Sequence, residues 1–120
     1  MNIEQISGIP VAFVDTNGPP LKQEADALTL LGDMYGSEAD CIAIPAERLH
    51  ADMLDLSTRQ FGLFLQKFMN YHARVAILGD TGAMAASSKP MADFIRESNR
   101  GQHVLFVPDR AALAARLAGT

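Results

Sequence analysis

The chain has 120 residues, of which 48% are apolar, and it carries a formal net charge of -4 with a pI near 5.2. This length suits one globular domain with a single core, since separate domains usually need roughly 100 residues each. The acidic balance and the scattered Lys and Arg residues exclude nucleic acid and an anionic membrane surface as main partners, because both require a concentrated positive patch.

The compartment follows from the terminus and the cysteine content. The amino terminus has neither the basic region nor the apolar stretch of a signal peptide, and no apolar run reaches the roughly 20 residues that span a bilayer. Cys41 is the only cysteine, so no disulfide forms within the chain and a reducing compartment is expected. We therefore expect a cytoplasmic protein.

Strand and helix patterns alternate along the chain. Residues 9–15 form an apolar run that predicts a strand, with residues 3–7 pairing against it across Gly8. An amphipathic helix is predicted next, from Leu21 to near Gly36. Its apolar stripe comprises Leu21, Ala25, Leu28, Leu31 and Tyr35.

A strand over 41–44 is followed by a polar segment, 45–55, without clear periodicity. The strongest helix pattern then runs from Ser57 to Tyr71 and leads into a buried strand over 75–78. The expected inward face of this helix comprises Phe61, Phe64, Leu65, Phe68 and Met69.

The last third of the chain repeats the pattern. A turn and a loop of small residues over 79–88 precede a helix over 88–99, which is predicted to stop at a left-handed Gly101. A strand over 104–107 follows, and Asp109 begins a final helix. Met91, Phe94 and Ile95 are expected to face inward from the first of these helices, and Leu113 and Leu117 lie four residues apart in the second.

Short apolar strands that alternate with amphipathic helices are typical of parallel strands covered on both faces. The sequence therefore predicts an α/β, single-domain layered fold over residues 1–120. The sheet is expected to be mostly parallel, with an antiparallel edge strand at the amino end.

Polar side chains collect in the loops expected at one edge of this sheet. Loops that follow the carboxyl ends of parallel strands share an edge, and ligands prefer that edge. Asp80 is either a turn residue or a ligand, while Ser87, Ser88 and Asp109 have the positions of helix caps. The predicted partner or ligand site comprises Asp55, Ser57, Thr58, Asp80, Ser88 and Lys89.

Ser57 has two interpretations. It precedes Gln60 by three residues, which is the capping-box spacing and favours a structural role at the start of a helix. The hydroxyls of Ser57 and Thr58 are also phosphorylation candidates, since a phosphate at a helix amino end meets free amides. Asp52 and Asp55 would repel that phosphate, so phosphorylation is expected to disrupt a contact.

Catalytic and metal motifs are missing from the sequence. A serine hydrolase of the α/β type needs a Gly-x-Ser-x-Gly elbow, which the chain lacks. His50, His72 and His103 have neither the paired spacing nor the neighbouring Cys of a zinc site. We therefore predict no catalytic residue, no metal and no cofactor.

A series of short motifs occurs in one order along the second half of the chain. They are Asp-Leu-Ser-Thr at 55–58, Leu-Gln-Lys-Phe at 65–68, Asn-Tyr at 70–71, Leu-Gly-Asp at 78–80, Ser-Lys at 88–89, Asp-Phe-Ile at 93–95, Glu-Ser-Asn at 97–99, Gly101 and Phe-Val at 106–107. This series resembles the bacterial domain-of-unknown-function family number 4180, over about residues 50–118. Members of that family usually carry Gly at the position of Arg59.

The element order and the Asp-Leu-Ser-Thr loop are also similar to STAS domains, the SpoIIAA-like anti-sigma factor antagonist fold. In that family an Asp-Ser-Ser-Gly-like loop carries the serine that a partner kinase phosphorylates, and the unmodified domain binds the partner. The resemblance implies a non-enzymatic protein-interaction module with Ser57 near the phosphorylated position, although Leu56 shifts the register by one residue.

Two other interpretations stay open. In the first, Asp80, Ser88, Lys89 and the helix amino ends hold a small ligand with a phosphate or carboxylate group, in a binding protein or a small enzyme. In the second, the chain forms a homodimer through the amino-terminal edge strand or an exposed apolar helix face.

Overall fold

Within residues 1–119, five strands form one sheet in which the order in space follows the order in the chain. The computed structural model describes residues 1–119. The first two strands pair antiparallel and all the other pairs are parallel, which confirms the predicted α/β fold with an antiparallel amino-terminal edge. The strands are β1 (Asn2–Ile6), β2 (Ile9–Phe13), β3 (Cys41–Pro45), β4 (Arg74–Leu78) and β5 (Val104–Val107).

In the described part of the chain, six helices connect or follow these strands. They are α1 (Asp26–Met34), α2 (Ala51–Leu54), α3 (Gln60–Asn70), α4 (Thr81–Ala86), α5 (Lys89–Asn99) and α6 (Arg110–Ala118). Two 3₁₀ turns, Ala46–Arg48 and Leu56–Thr58, lie in the segment between β3 and α3. Among residues 1–119, no helix is both long and apolar enough to cross a membrane.

The two faces of the sheet are covered differently. Alternate strand residues such as Ile42 and Ile77 pack under α1, α3 and α5, together with an aromatic cluster around Phe61. This one-sided arrangement follows from the strand order, because right-handed crossovers that all step in one direction place their helices on the same face.

The opposite face is covered by α6, which contacts both β5 and β1. Leu113 and Leu117 of α6 are buried there, as predicted. Small side chains such as Ala43 and Ala76 point to this face, so that one helix can lie close to the sheet and bury it. The Ser7 hydroxyl donates to the backbone oxygen of Ala114 at 2.8 Å and joins the hairpin to this helix.

The predicted extent and stripe of the first helix are wrong. The helix begins at Asp26, because Leu21 instead pairs with Leu49 in an isolated parallel bridge. The buried side chains of α1 are Ala27, Leu30 and Met34, whereas Leu28 is 50% exposed and Tyr35 is 91% exposed. Because the first predicted turn is not helical, the predicted stripe starts from the wrong residue and does not match the buried face of α1.

The central helix is shorter than predicted, because Arg59 takes a left-handed conformation with φ +66° and separates the 3₁₀ turn from α3. Phe61, Phe64, Leu65 and Phe68 are buried as predicted. Met69 is 39% exposed, because it lies at the edge of the buried face.

Two predictions about loops and stops are also wrong. The segment predicted as a loop over 79–88 contains α4. Gly101 is not left-handed: Arg100 keeps a helical conformation, and the Gly101 amide donates to the Ser98 oxygen at 3.0 Å in a continued right-handed turn.

Candidate functional site

Two of the predicted polar segments meet in one groove of about 400 Å³, which we call the rim groove. It lies where the loop before α3 approaches the start of α5. The strand order has no reversal among residues 1–119, so the crevice that usually holds ligands in α/β sheets does not form there. The rim groove is lined by Ala51, Leu54, Asp55, Leu56, Ser57, Ser87, Ser88 and Pro90.

Ser57 and Asp55 form a tight turn on the rim groove. The Ser57 hydroxyl donates to Asp55 Oδ1 at 2.6 Å, and the Ser57 amide donates to the same oxygen at 3.0 Å. The hydroxyl hydrogen bond, followed by the amide hydrogen bond, lowers the pKa of the Asp55 carboxyl, because both donors stabilise its charged form. Asp55 is therefore an ionised acceptor at neutral pH.

The predicted capping box between Ser57 and Gln60 is wrong. The Gln60 side chain accepts a hydrogen bond from the Glu24 amide at 2.8 Å, which joins α3 to the segment before α1. Thr58 serves the start of α3 instead, since its hydroxyl accepts from the Gln60 amide at 3.2 Å and donates to the Asp55 backbone oxygen at 3.0 Å. The Ser57 hydroxyl is exposed and its hydrogen bond is directed to Asp55.

The other predicted site residues cap or stabilise helices. Asp80 accepts from the Ala83 amide at 2.9 Å, and Ser88 accepts from the Met91 amide at 3.1 Å. Lys89 is bonded to Asp93 at 3.0 Å, one turn along α5. Thr58, Asp80 and Lys89 are not among the residues that line the rim groove. The structure thus brings Asp55, Ser57 and Ser88 together and leaves the other three predicted site residues outside that group.

Of the other two predicted caps, one is confirmed and one is wrong. Asp109 accepts from the Ala112 amide at 2.8 Å, which confirms it as the cap of α6. Ser87 does not cap a helix start: its hydroxyl donates to the Met84 oxygen at 2.6 Å at the end of α4.

Burial raises the pKa of the Cys41 thiol to about 11, so this cysteine stays protonated at neutral pH.

Arg48 is a structured cation that the sequence patterns did not reveal. Arg48 is 9% exposed, and its guanidinium donates to the backbone oxygens of Asp15 at 2.7 Å and Pro19 at 3.1 Å. Gly18 approaches so closely that a Cβ at this position would lie 2.7 Å from Arg48 Cζ. Arg48 therefore fixes the loop after β2, beside a second cavity of about 400 Å³. A single Arg in a polar segment carries no signal of this contact.

No group of three or more His, Cys, Asp or Glu side chains within residues 1–119 is placed to hold a metal ion.

A protein-family model described as "domain of unknown function (DUF4180)" matches residues 6–117. The chain belongs to this family. The match begins far upstream of residue 50, so the family includes part of the β-hairpin and α1 as well as the motifs from 55 to 107. No curated protein and no solved structure matches the chain.

Arg59 has a left-handed backbone with φ +66°, a conformation that Gly adopts without steric cost. The backbone shape between the 3₁₀ turn and α3 would therefore suit Gly better than it suits Arg.

Proposed function

We propose that this protein is a STAS-like protein-interaction module that binds a partner at the rim groove, with phosphorylation of Ser57 as the switch. The observation that carries the proposal is the Ser57–Asp55 hydrogen bond of 2.6 Å at the wall of the groove. An exposed hydroxyl there is accessible to a kinase, and its one side-chain partner among residues 1–119 is an acid that a phosphate would repel.

The groove suits a peptide segment or a loop of a partner protein. Its wall combines apolar side chains, such as Leu54 and Pro90, with the hydroxyls of Ser87 and Ser88. A volume of about 400 Å³ accommodates one or two side chains. Apolar anchoring with a few polar contacts is the usual composition of a specific interaction surface.

Ser57 is a better switch than Thr58. The Thr58 hydroxyl both donates and accepts within the turn, and its loss would disturb the start of α3. The Ser57 hydroxyl makes one donor contact with Asp55, and it lines the groove. Transfer of the γ-phosphoryl group of ATP to Ser57 Oγ replaces the hydroxyl proton and leaves ADP.

Phosphorylation would replace the attraction between Ser57 and Asp55 by repulsion. The phosphoserine carries about -2 charge and cannot donate to the ionised Asp55. Repulsion between the two anions opens the turn over residues 55–57 and displaces one wall of the groove. The modified protein therefore releases its partner.

The experiment compares four versions of the full chain as bait in a lysate of the source organism: the parent, Ser57→Ala, Ser57→Glu and Ser37→Glu. Ser37 is an exposed hydroxyl beyond the end of α1, so Ser37→Glu adds the same charge away from the groove. A partner at the rim groove is retained by the parent, Ser57→Ala and Ser37→Glu, and is lost with Ser57→Glu. Equal capture by all four proteins would contradict the switch.

The small-ligand alternative receives less support. Its three proposed residues, Asp80, Ser88 and Lys89, already bond to helix amides or to Asp93. A ligand at this edge would have to compete with those contacts. A thermal-shift screen of nucleotides and organic acids tests this alternative, since a ligand at a hundred times its Kd adds about 2.7 kcal/mol of stability.

A further inference from the structure

A second group of ionisable side chains lies at the opposite edge of the sheet, where β3, β4 and β5 begin. Asp40, His72, Arg74 and His103 line one cavity of about 360 Å³ there. The two histidines come from different loops, one before β4 and one before β5. The cavity is thus assembled by the fold, and it shares none of its residues with the rim groove.

Arg74 has the least satisfied cation in this cavity. Its Nη1 atom is buried and has no hydrogen-bond partner among residues 1–119. Within the same residues 1–119, no carboxylate forms an ion pair with the Arg74 guanidinium. Buried donors are nearly always paired, and an orphaned one commonly marks a bound water or ion. The guanidinium also presents donors in the planar fork that matches an oxyanion.

The lining of the cavity combines a permanent cation with two imidazoles and one acid. Asp40 is that acid, and it offsets the charge of Arg74. The neighbouring Cys41 thiol is buried in the sheet and stays neutral. The imidazoles of His72 and His103 add N–H groups that can donate hydrogen bonds to an anion.

We propose that this cavity binds a small oxyanion, with the Arg74 guanidinium as the main contact and His72 and His103 as additional hydrogen-bond donors. The ligand class is a sulfate-like or phosphate-like tetrahedral anion, or a carboxylate. This proposal is independent of the rim groove and of Ser57.

The test is a titration of the full chain with sulfate, followed by backbone amide NMR at constant ionic strength set with sodium chloride. We expect sulfate to shift the amides of residues 72–75 and 103, which lie in or beside the lining of the cavity. A parallel titration with acetate separates a preference for tetrahedral anions from a general preference for carboxylates.

Three variants distinguish binding from a structural role. Arg74→Gln should weaken sulfate binding about tenfold, because it removes a charged donor. Asp40→Asn should strengthen binding several-fold, since it removes the one repulsive group from an exposed position. His72→Asn should weaken sulfate binding, because it shortens the side chain and removes the imidazole donor, while it keeps the left-handed backbone at φ +60°, which Asn tolerates well.

Lys22→Gln provides the control, because it removes one exposed cation outside the lining of the cavity. This variant should bind sulfate as the parent does. The proposal is overturned if sulfate shifts only amides elsewhere, if Arg74→Gln and Lys22→Gln weaken binding equally, or if Asp40→Asn has no effect.

Discussion

Arg48 lies at the carboxyl ends of the parallel strands, which we call the carboxyl edge, and Arg74 lies at their amino ends, the amino edge. The two guanidiniums differ in whether the fold supplies their hydrogen-bond partners. Arg48 follows the carboxyl end of β3, and its guanidinium is satisfied by the oxygens of the loop after β2. Arg74 begins β4, and its buried Nη1 atom has no partner among residues 1–119. The comparison shows that burial of a cation does not by itself indicate its role.

The difference extends to the polar groups around each arginine. At the carboxyl edge, Asp80, Ser88 and Asp109 all accept hydrogen bonds from helix amides, so their capacity is used within the fold. At the amino edge, His72 and His103 line a cavity together with an unsatisfied donor. The polar groups of the carboxyl edge mainly stabilise the fold, with Ser57 as the exception. The amino edge keeps a hydrogen-bond donor that a ligand could use.

The largest expected effect comes from replacing the two arginines by Met. Arg48→Met should lower the free energy of unfolding by about 2–4 kcal/mol, because it removes charge-assisted hydrogen bonds from a nearly buried site. Arg74→Met should change it by less than about 1 kcal/mol, since an unsatisfied donor is removed and the apolar stem is kept. Urea denaturation of both variants measures the difference. Equal losses of stability would contradict the different roles assigned to the two arginines.

The contact between Gly18 and Arg48 gives the next largest effect. Gly18→Ala should cost about 2 kcal/mol, because the new Cβ meets the guanidinium and the backbone has φ +151°. Gly36→Ala should cost about 1 kcal/mol, because Gly36 has φ +83° but nothing within 4 Å of the added Cβ. Urea denaturation gives both values.

A double variant tests whether Arg48 is the cause. In an Arg48→Met background, Gly18→Ala should cost about 1 kcal/mol, close to the cost of Gly36→Ala. If the cost of Gly18→Ala is the same in both backgrounds, then the strain belongs to the backbone and Arg48 does not hold this loop through Gly18.

The sequence predicted the elements that depend on local patterns and missed those that depend on distant contacts. Strands β3, β4 and β5 are continuous buried runs, so their positions follow from composition alone. The start of α1 does not, because Leu21 leaves the helix to pair with Leu49. The roles of Arg48 and Arg74 likewise depend on loops far away in the chain.

The candidate site was predicted in the same uneven way. Asp55, Ser57 and Ser88 do share the rim groove, as the common edge of a parallel sheet implied. The capping box failed because Gln60 bonds to Glu24, a contact that no local spacing encodes. The left-handed Arg59 then transfers the capping role from Ser57 to Thr58.

This exchange of roles gives a third effect. Thr58→Ala should lower the free energy of unfolding by about 1 kcal/mol, the usual cost of a lost helix cap. Ser57→Ala should cost less, because its hydroxyl bonds only to an exposed carboxylate. Thermal denaturation of the two variants checks the order. A larger loss for Ser57→Ala would place Ser57 among the structural groups of this edge and would remove its distinction as a switch.

The smallest effect is a change in the pKa of Asp55. In the folded protein the Ser57 hydroxyl is the main cause of the lowered pKa of this carboxyl, so Ser57→Ala should raise that pKa toward its ordinary value. The sign for stability follows from linkage. A folded-state pKa below the unfolded one contributes stability above the unfolded pKa, near 4, and this contribution disappears as the pH falls through the folded pKa. Carboxyl NMR titration measures the shift.

The chain offers two controls for this titration. Ser87→Ala removes another hydroxyl from the rim groove, but that hydroxyl donates to the Met84 oxygen, so the pKa of Asp55 should stay low. Asp93, whose pKa is lowered by Lys89 and then by Arg96, is an internal reference that Ser57→Ala should leave unchanged. If Asp55 titrates alike in the parent and in Ser57→Ala, then the hydroxyl does not hold this carboxylate in solution. A phosphate on Ser57 would then have no contact to break, and the carboxyl edge would contain no switch.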